Sequence, residues 1–281
     1  MRRLAASALV LTVITASCGG DDESSPTPAD EPATAEAVDR VVKIDGDRGL
    51  YIKCAGRGSP TVVMEGGDGD TSDSYAFAAP EVTQVTRTCV YDRANLGRSD
   101  PAPGPRGLAE LVRDLEQLLR AGKVPGPYLL VGTSGGGYIA AGFAYAHPEE
   151  TAGLVFVDTA SPFRDPPPEI VEETDPDSPA NVEKRDYLQV EKDAWNARRK
   201  IGDIPVKVIT VKPSAEAIKE SPFPSERRAI RNNVRNQKGW LVLSPAAEQI
   251  LVDTGHAVEE DDPELVIDVI LDALEEARES P

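Results

Sequence analysis

Apolar residues in this chain come as short unbroken blocks separated by amphipathic stretches. Residues 61–64, 88–91, 128–131, 154–157, 205–211 and 249–252 are runs of four to seven residues rich in Val, Ile, Leu and Tyr. Their length and β-branched content predict buried strands. Residues 41–44 and 50–54 alternate instead, which predicts a strand pair turned at Asp45-Gly46-Asp47. Between the strands the period changes. Leu108, Leu111, Val112, Leu115, Leu118 and Leu119 recur at helical spacing, so residues 107–121 read as an amphipathic helix. A weaker helix is expected over 74–85, and another over 138–144. Asp262-Pro263-Glu264 reads as an N-cap with proline at N1, opening a terminal helix that carries Val266, Val269, Ile270, Ala273 and Leu274. Strands alternating with helices predict an α/β fold, with a mostly parallel central sheet flanked by helices on both faces.

One stretch breaks the alternation. Residues 161–203 begin with prolines and acids (Pro166-Pro167-Pro168, Glu172-Glu173, Asp175, Asp177) and turn helix-like over 182–200. A segment this long is no simple loop. It predicts a small lid over the top of the sheet, with Tyr187 and Trp195 as its apolar contacts; a disordered acidic loop is the alternative.

The N-terminus changes the picture of where the protein works. Arg2-Arg3 precedes an apolar run, Leu4 to Ile14, that is too short to span a bilayer. Residues 1–17 therefore read as a signal peptide. Thr15-Ala16-Ser17-Cys18-Gly19-Gly20 resembles the lipobox of bacterial lipoproteins, with Thr15 where leucine is usual, and implies lipidation of Cys18. Two or more acyl chains would anchor the protein stably on the outer face of the cell membrane. Plain secretion after nearby cleavage is the alternative, and both predict export. Residues 18–37, rich in Pro, Ala, Thr and acids, read as a disordered tether. Residues 38–281 suit a single domain.

Composition mostly excludes. The formal charge of −18 becomes −20 once Arg2 and Arg3 are removed, and no basic cluster stands out. That argues against nucleic acid and against electrostatic attachment to anionic lipid, which leaves the lipid anchor as the membrane contact. With aromatics at 5%, a stacking or carbohydrate platform is not expected. Cys54 and Cys89 both lie in strand-like segments. In an exported chain they suggest a disulfide, the alternative being two buried free thiols.

The candidate chemistry centres on Gly132-Thr133-Ser134-Gly135-Gly136, directly after the buried run 128–131 and before a helix-compatible stretch. A strand entering Gly-x-Ser-x-Gly and leaving as a helix is a nucleophile elbow: a turn so tight that its neighbours must be small, with the serine hydroxyl projecting. A serine needs a base, and the chain has two histidines. His147 falls at the far end of the helix that starts at the elbow, roughly 20 Å from Ser134 at 1.5 Å rise per residue, and reads as a helix-end cation. His256, in Thr254-Gly255-His256-Ala257 after the last strand, is the candidate base.

These segments, together with Val62-Val63-Met64-Glu65-Gly66-Gly67 and Tyr91-Asp92-Arg93-Ala94-Asn95-Leu96-Gly97-Arg98-Ser99, resemble the α/β-hydrolase fold superfamily over most of residues 41–278. Asn95 stands where that family usually has glycine, and asparagine tolerates the left-handed conformation the turn needs. The resemblance implies an oxyanion hole from the N–H of Gly135 and the N–H of Asp68, with Gly67 as the other registration. It also places the strands of Cys54 and Cys89 side by side. Most members carry an aspartate after the strand matched by 206–211, but this chain reads Lys212-Pro213-Ser214-Ala215-Glu216 there. A minority place the acid one strand earlier, where Asp158 stands. Asp158, Glu216 or no acid at all remain open, and Asp253 is too near His256 in sequence to reach behind its ring. Asp92 is expected to hold its own loop through Arg93. The implied activity is serine-dependent hydrolysis of a small acyl substrate (ester, thioester or amide), requiring no metal or organic cofactor. The rival is a non-catalytic lipoprotein that keeps the fold as a binding module.

Overall fold

The computed structural model describes residues 37–162 and 166–280. The expected signal peptide, Cys18 and nearly all of the tether lie outside them. Among the described residues eight strands form one sheet: β1 (Val38–Asp45), β2 (Arg48–Ala55), β3 (Thr61–Glu65), β4 (Thr88–Tyr91), β5 (Tyr128–Thr133), β6 (Thr151–Val157), β7 (Val206–Val211) and β8 (Ala247–Val252). Their spatial order is β1-β2-β4-β3-β5-β6-β7-β8. Only β2 runs against the others, so the sheet is mostly parallel. The central strands β3, β4 and β5 are buried at every position, as expected where helices cover both faces.

The helices are α1 (Ala79–Val82), α2 (Leu108–Ala121), α3 (Gly136–Ala146), α4 (Pro168–Thr174), α5 (Tyr187–Asn196), α6 (Ala215–Glu220), α7 (Pro224–Gln237), α8 (Val258–Asp261) and α9 (Pro263–Glu279). Helix α2 buries the leucine stripe its spacing predicted, and with α3 and α5 it builds the core on one face of the sheet. Helices α1, α8 and α9 build the other. Asp262 caps α9 by accepting from the Leu265 N–H at 3.2 Å. The expected weak helix over 74–85 is two short pieces, a 3-10 turn at Ser72–Tyr75 and α1. The helix expected over 182–200 is shorter as well. Asp186 caps α5, and Val182 upstream is 58% exposed.

Cys54 and Cys89 sit directly opposite each other on antiparallel β2 and β4 and are bonded, with Cα atoms 4.1 Å apart. The bond closes a 35-residue separation. By the chain-entropy model such a loop contributes about 3–4 kcal/mol. Replacing both cysteines by alanine is expected to lower the melting temperature by on the order of 10 °C, read by calorimetry on oxidised protein. A shift under about 2 °C would show that the bridge constrains little.

The strand order places β3 next to β5, and the chain winds from that boundary toward both edges. Such a switch point leaves a crevice at the carboxyl ends of the strands. The loops after β3, β5, β6, β7 and β8 all open there.

Candidate active site

Ser134 follows β5 with φ 47°. This left-handed conformation costs a non-glycine residue of order 1–3 kcal/mol unless its surroundings enforce it. Here they do. The Ser134 N–H donates to Val157 O at 2.8 Å, and its carbonyl accepts from the Gly137 N–H at 3.1 Å and from Thr159 Oγ1 at 3.0 Å. The flanking glycines leave the turn its room. A Cβ on Gly132 would lie 2.5 Å from Gly137 Cα, and one on Gly136 would lie 2.4 Å from Gly66 O.

His256 reaches this serine from the loop between β8 and α8. Its Nε2 is 3.0 Å from Ser134 Oγ, and its Nδ1 is 2.7 Å from Asp158 Oδ2. Asp158 directly follows β6, is 5% exposed and also takes a left-handed φ of 45°. Its other oxygen, Oδ1, accepts from the Val211 N–H at 3.1 Å, Asn233 Nδ2 at 3.0 Å and Gln237 Nε2 at 2.6 Å. Among the carboxylates weighed from the sequence, Asp158 is the one bonded to the ring. Asp253 pairs with Lys212, and Glu216 lies in the first turn of α6.

The electrostatics follow from these contacts. The Asp158 hydrogen bond holds the His256 pKa above its ordinary 6.5 against the effect of burial, and the Asp158, Glu259 and Asp68 charges add to it. Burial disfavours the Asp158 carboxylate. The bonds from His256, Val211 and Gln237 outweigh it and hold the group below 3.8.

The loop after β3 passes beside the serine. Gly67 is not free to donate into the site, because its N–H is held by Asp70 Oδ2 at 2.9 Å. The N–H groups of Asp68 and Gly135 meet no acceptor among the described residues. This favours the Asp68 registration.

Much of what braces the loop was not readable in the sequence. Arg93 donates to Gly66 O at 2.7 Å and Gly67 O at 2.6 Å, and pairs with Glu65 at 2.6 Å and Glu183 at 2.8 Å. Glu183 also accepts from the Gly69 N–H at 2.7 Å. Burial disfavours its charge, but Arg93 prevails and lowers its pKa to about 2. Arg185 binds Asp68 Oδ1 at 2.7 Å and Gly135 O at 2.9 Å. The expectation that Asp92 works through Arg93 is therefore corrected. Asp92 accepts from the Ser72 N–H at 2.7 Å and the Arg98 N–H at 2.8 Å, because Arg93 is turned toward Glu65 and Glu183. Asn95 does take the left-handed turn, with φ 72°. His147 caps the C-terminal end of α3, with Glu116 and Glu150 at 3.6 and 3.5 Å.

One acidic cluster among the described residues has the spacing of a metal site: Glu248, Asp272 and Glu276. Lys207 Nζ occupies its centre at 2.6–2.7 Å from all three, which makes it a salt-bridge hub.

The family model for the alpha/beta hydrolase fold matches residues 60–217, which include Ser134 and Asp158. The uncharacterized protein YqjL of Bacillus subtilis is 23% identical over 228 residues, 79% of this chain and 89% of that protein. The probable transporter efuK of Hormonema carpetanum is 32% identical over 129 residues, 43% of this chain; the match spans only 18% of that protein. Among solved structures, a thermophilic esterase from Thermogutta terrifontis superposes with a TM-score of 0.60 at 20% identity, over 86% of this chain and 99% of that one. With more than half its length matched by the family model and the family's sheet order in place, the chain belongs to the alpha/beta hydrolase fold family.

Proposed function

We propose that this protein is an exported serine hydrolase that cleaves an ester, thioester or amide bond of a small substrate through an acyl-enzyme on Ser134. The observation that carries the reading is the continuous relay Ser134 Oγ···Nε2 His256 Nδ1···Oδ2 Asp158, at 3.0 and 2.7 Å. In the first half-reaction His256 Nε2 takes the hydroxyl proton as Ser134 Oγ attacks the carbonyl carbon. The carbonyl oxygen becomes an oxyanion facing the Asp68 and Gly135 N–H groups. When the tetrahedral intermediate collapses, His256 returns the proton to the leaving group. Water, activated by the same imidazole, then releases the acid and restores Ser134. Asp158 stays ionised throughout; it fixes the tautomer with the proton on Nδ1 and stabilises the imidazolium. The likeness to a solved esterase makes carboxylic esters the first substrates to try.

The rival reading, a binding module without catalysis, rested on the missing aspartate after β7. A buried carboxylate bonded to His256 leaves it without that support. Export and anchoring at Cys18 belong to the same proposal. They rest on the sequence of residues 1–37 and on a disulfide of the kind that persists in oxidising compartments.

The test is hydrolysis of short-chain p-nitrophenyl esters by the purified chain across pH 5–9. The base must be neutral to accept a proton, so kcat/KM is expected to rise with pH. Because the His256 pKa is raised, the midpoint of that limb should lie above 6.5. No turnover of esters, thioesters or anilides at any pH would sink the proposal.

A further inference from the structure

We propose that Arg185 is a positioning residue for the oxyanion hole, holding from the β6–β7 insertion the two residues whose N–H groups receive the developing charge. The proposal rests on the serine-hydrolase reading above. Its basis is a single guanidinium with two partners: Nη1 bonds Asp68 Oδ1 at 2.7 Å, and Nη2 bonds Gly135 O at 2.9 Å. Asp68 and Gly135 come from different loops, after β3 and β5. The N–H groups of both meet no acceptor among the described residues, which leaves them free to receive an oxyanion. A planar fork binding both fixes the separation of the two donors, and oxyanion stabilisation depends on that separation being set before reaction.

The charge matters as much as the geometry. The Asp68 carboxylate overhangs the elbow so closely that a Cβ on Gly135 would lie 1.8 Å from Asp68 Oδ1. A carboxylate beside a developing oxyanion works against the reaction unless a cation compensates it. Arg185, 0% exposed and bonded to Asp68 Oδ1, is that cation.

The rest of the insertion holds this arginine in place. Asn181 Nδ2 donates to the Arg185 carbonyl at 2.7 Å. The neighbouring backbone is tied to Arg106, just ahead of α2, through Arg106 N–H to Lys184 O at 2.8 Å and Asp186 N–H to Arg106 O at 2.9 Å. Two residues earlier, Glu183 grips the Gly69 N–H of the same oxyanion loop. The arrangement is not optimal for stability alone, since Arg185 Nε is buried with no acceptor among the described residues. Burying an arginine with an unmet donor is unfavourable for folding, and the return is visible at Asp68 and Gly135.

The experiment compares wild type, Arg185→Met and Arg185→Lys in the full chain. It reads kcat and KM on one p-nitrophenyl ester, per active serine titrated with a fluorophosphonate, and the Ki of a trifluoromethyl ketone, which forms a tetrahedral oxyanion on the serine. Loss of one oxyanion donor typically lowers kcat by about 10²–10³-fold. Arg185→Met is therefore expected to lower kcat about 10²-fold with KM within threefold, and to weaken the ketone by the same factor as kcat/KM. Lysine restores the charge but cannot bridge both partners, so Arg185→Lys should fall between. A purely structural role would reduce the titratable fraction or the melting temperature and leave kcat per titrated serine unchanged; that result overturns the proposal. If Arg185→Met does not fold, Arg185→Lys decides: wild-type kcat per titrated serine would overturn the bridging role. A wild-type chain that neither turns over nor titrates overturns the hydrolase reading itself, whereas an active wild type beside unaffected variants overturns this inference alone.

Discussion

Replacing Ser134 by alanine is expected to lower kcat on any ester the protein hydrolyses by about 10⁶-fold, to the background of a site with no nucleophile. His256→Ala should cost nearly as much, and the double variant little more than either, because the two side chains act as one unit. Among the described residues the hydroxyl makes a single hydrogen bond, with the His256 imidazole, so its loss should leave folding intact. Alanine accepts the same left-handed backbone that the Val157, Gly137 and Thr159 bonds impose. Equal melting temperatures with activity lost is the expected pairing. A Ser134→Ala variant retaining more than about 1% of wild-type kcat would place the nucleophile elsewhere.

The second large effect is at Asp158. Asp158→Asn is expected to lower kcat about 10⁴-fold, as loss of tautomer control does in comparable triads. The geometry shows why asparagine cannot substitute. Val211, Asn233 and Gln237 all donate to Oδ1, so the asparagine must keep its oxygen there and turn its NH₂ toward His256. The imidazole then has to accept at Nδ1 and carry its proton on Nε2, facing Ser134. In that tautomer it cannot take the hydroxyl proton. Removing the carboxylate also removes what holds the His256 pKa up, so the acid limb of the residual activity should move to lower pH. Residual kcat within tenfold of wild type, or an unmoved limb, would assign the acid to another group.

What could be read from the chain depended on whether the information was local. The elbow was legible because the tight turn imposes glycine on its immediate neighbours, and the leucine spacing of α2 because one helix face meets the core. Asn95 could be foreseen in a left-handed turn for a reason internal to asparagine. The acid was narrower than a guess but not fixed, since only the loop after β8, which carries His256 past the end of β7 to the end of β6, sets Asp158 rather than Glu216 against the ring. Helix α7 left little trace because most of its residues are polar; Asn233 and Gln237 matter by facing Asp158, 75 and 79 residues away in sequence. Arg185 and Glu183 were invisible for the same reason. Buried ion pairs carry no periodic signal, and the partners of Arg185 lie 117 and 50 residues away. Arg93 misled locally: its neighbour Asp92 looked like its partner, while the sheet delivers Glu65 and the insertion delivers Glu183.

Activation of Ser134 as a nucleophile by His256 can be read by mass spectrometry of the intact protein after treatment with a fluorophosphonate. One adduct per chain is expected, located by peptide mapping at Ser134, and none on His256→Ala or Ser134→Ala. A folded wild-type protein that stays unmodified, or that carries its adduct on another residue, would contradict it.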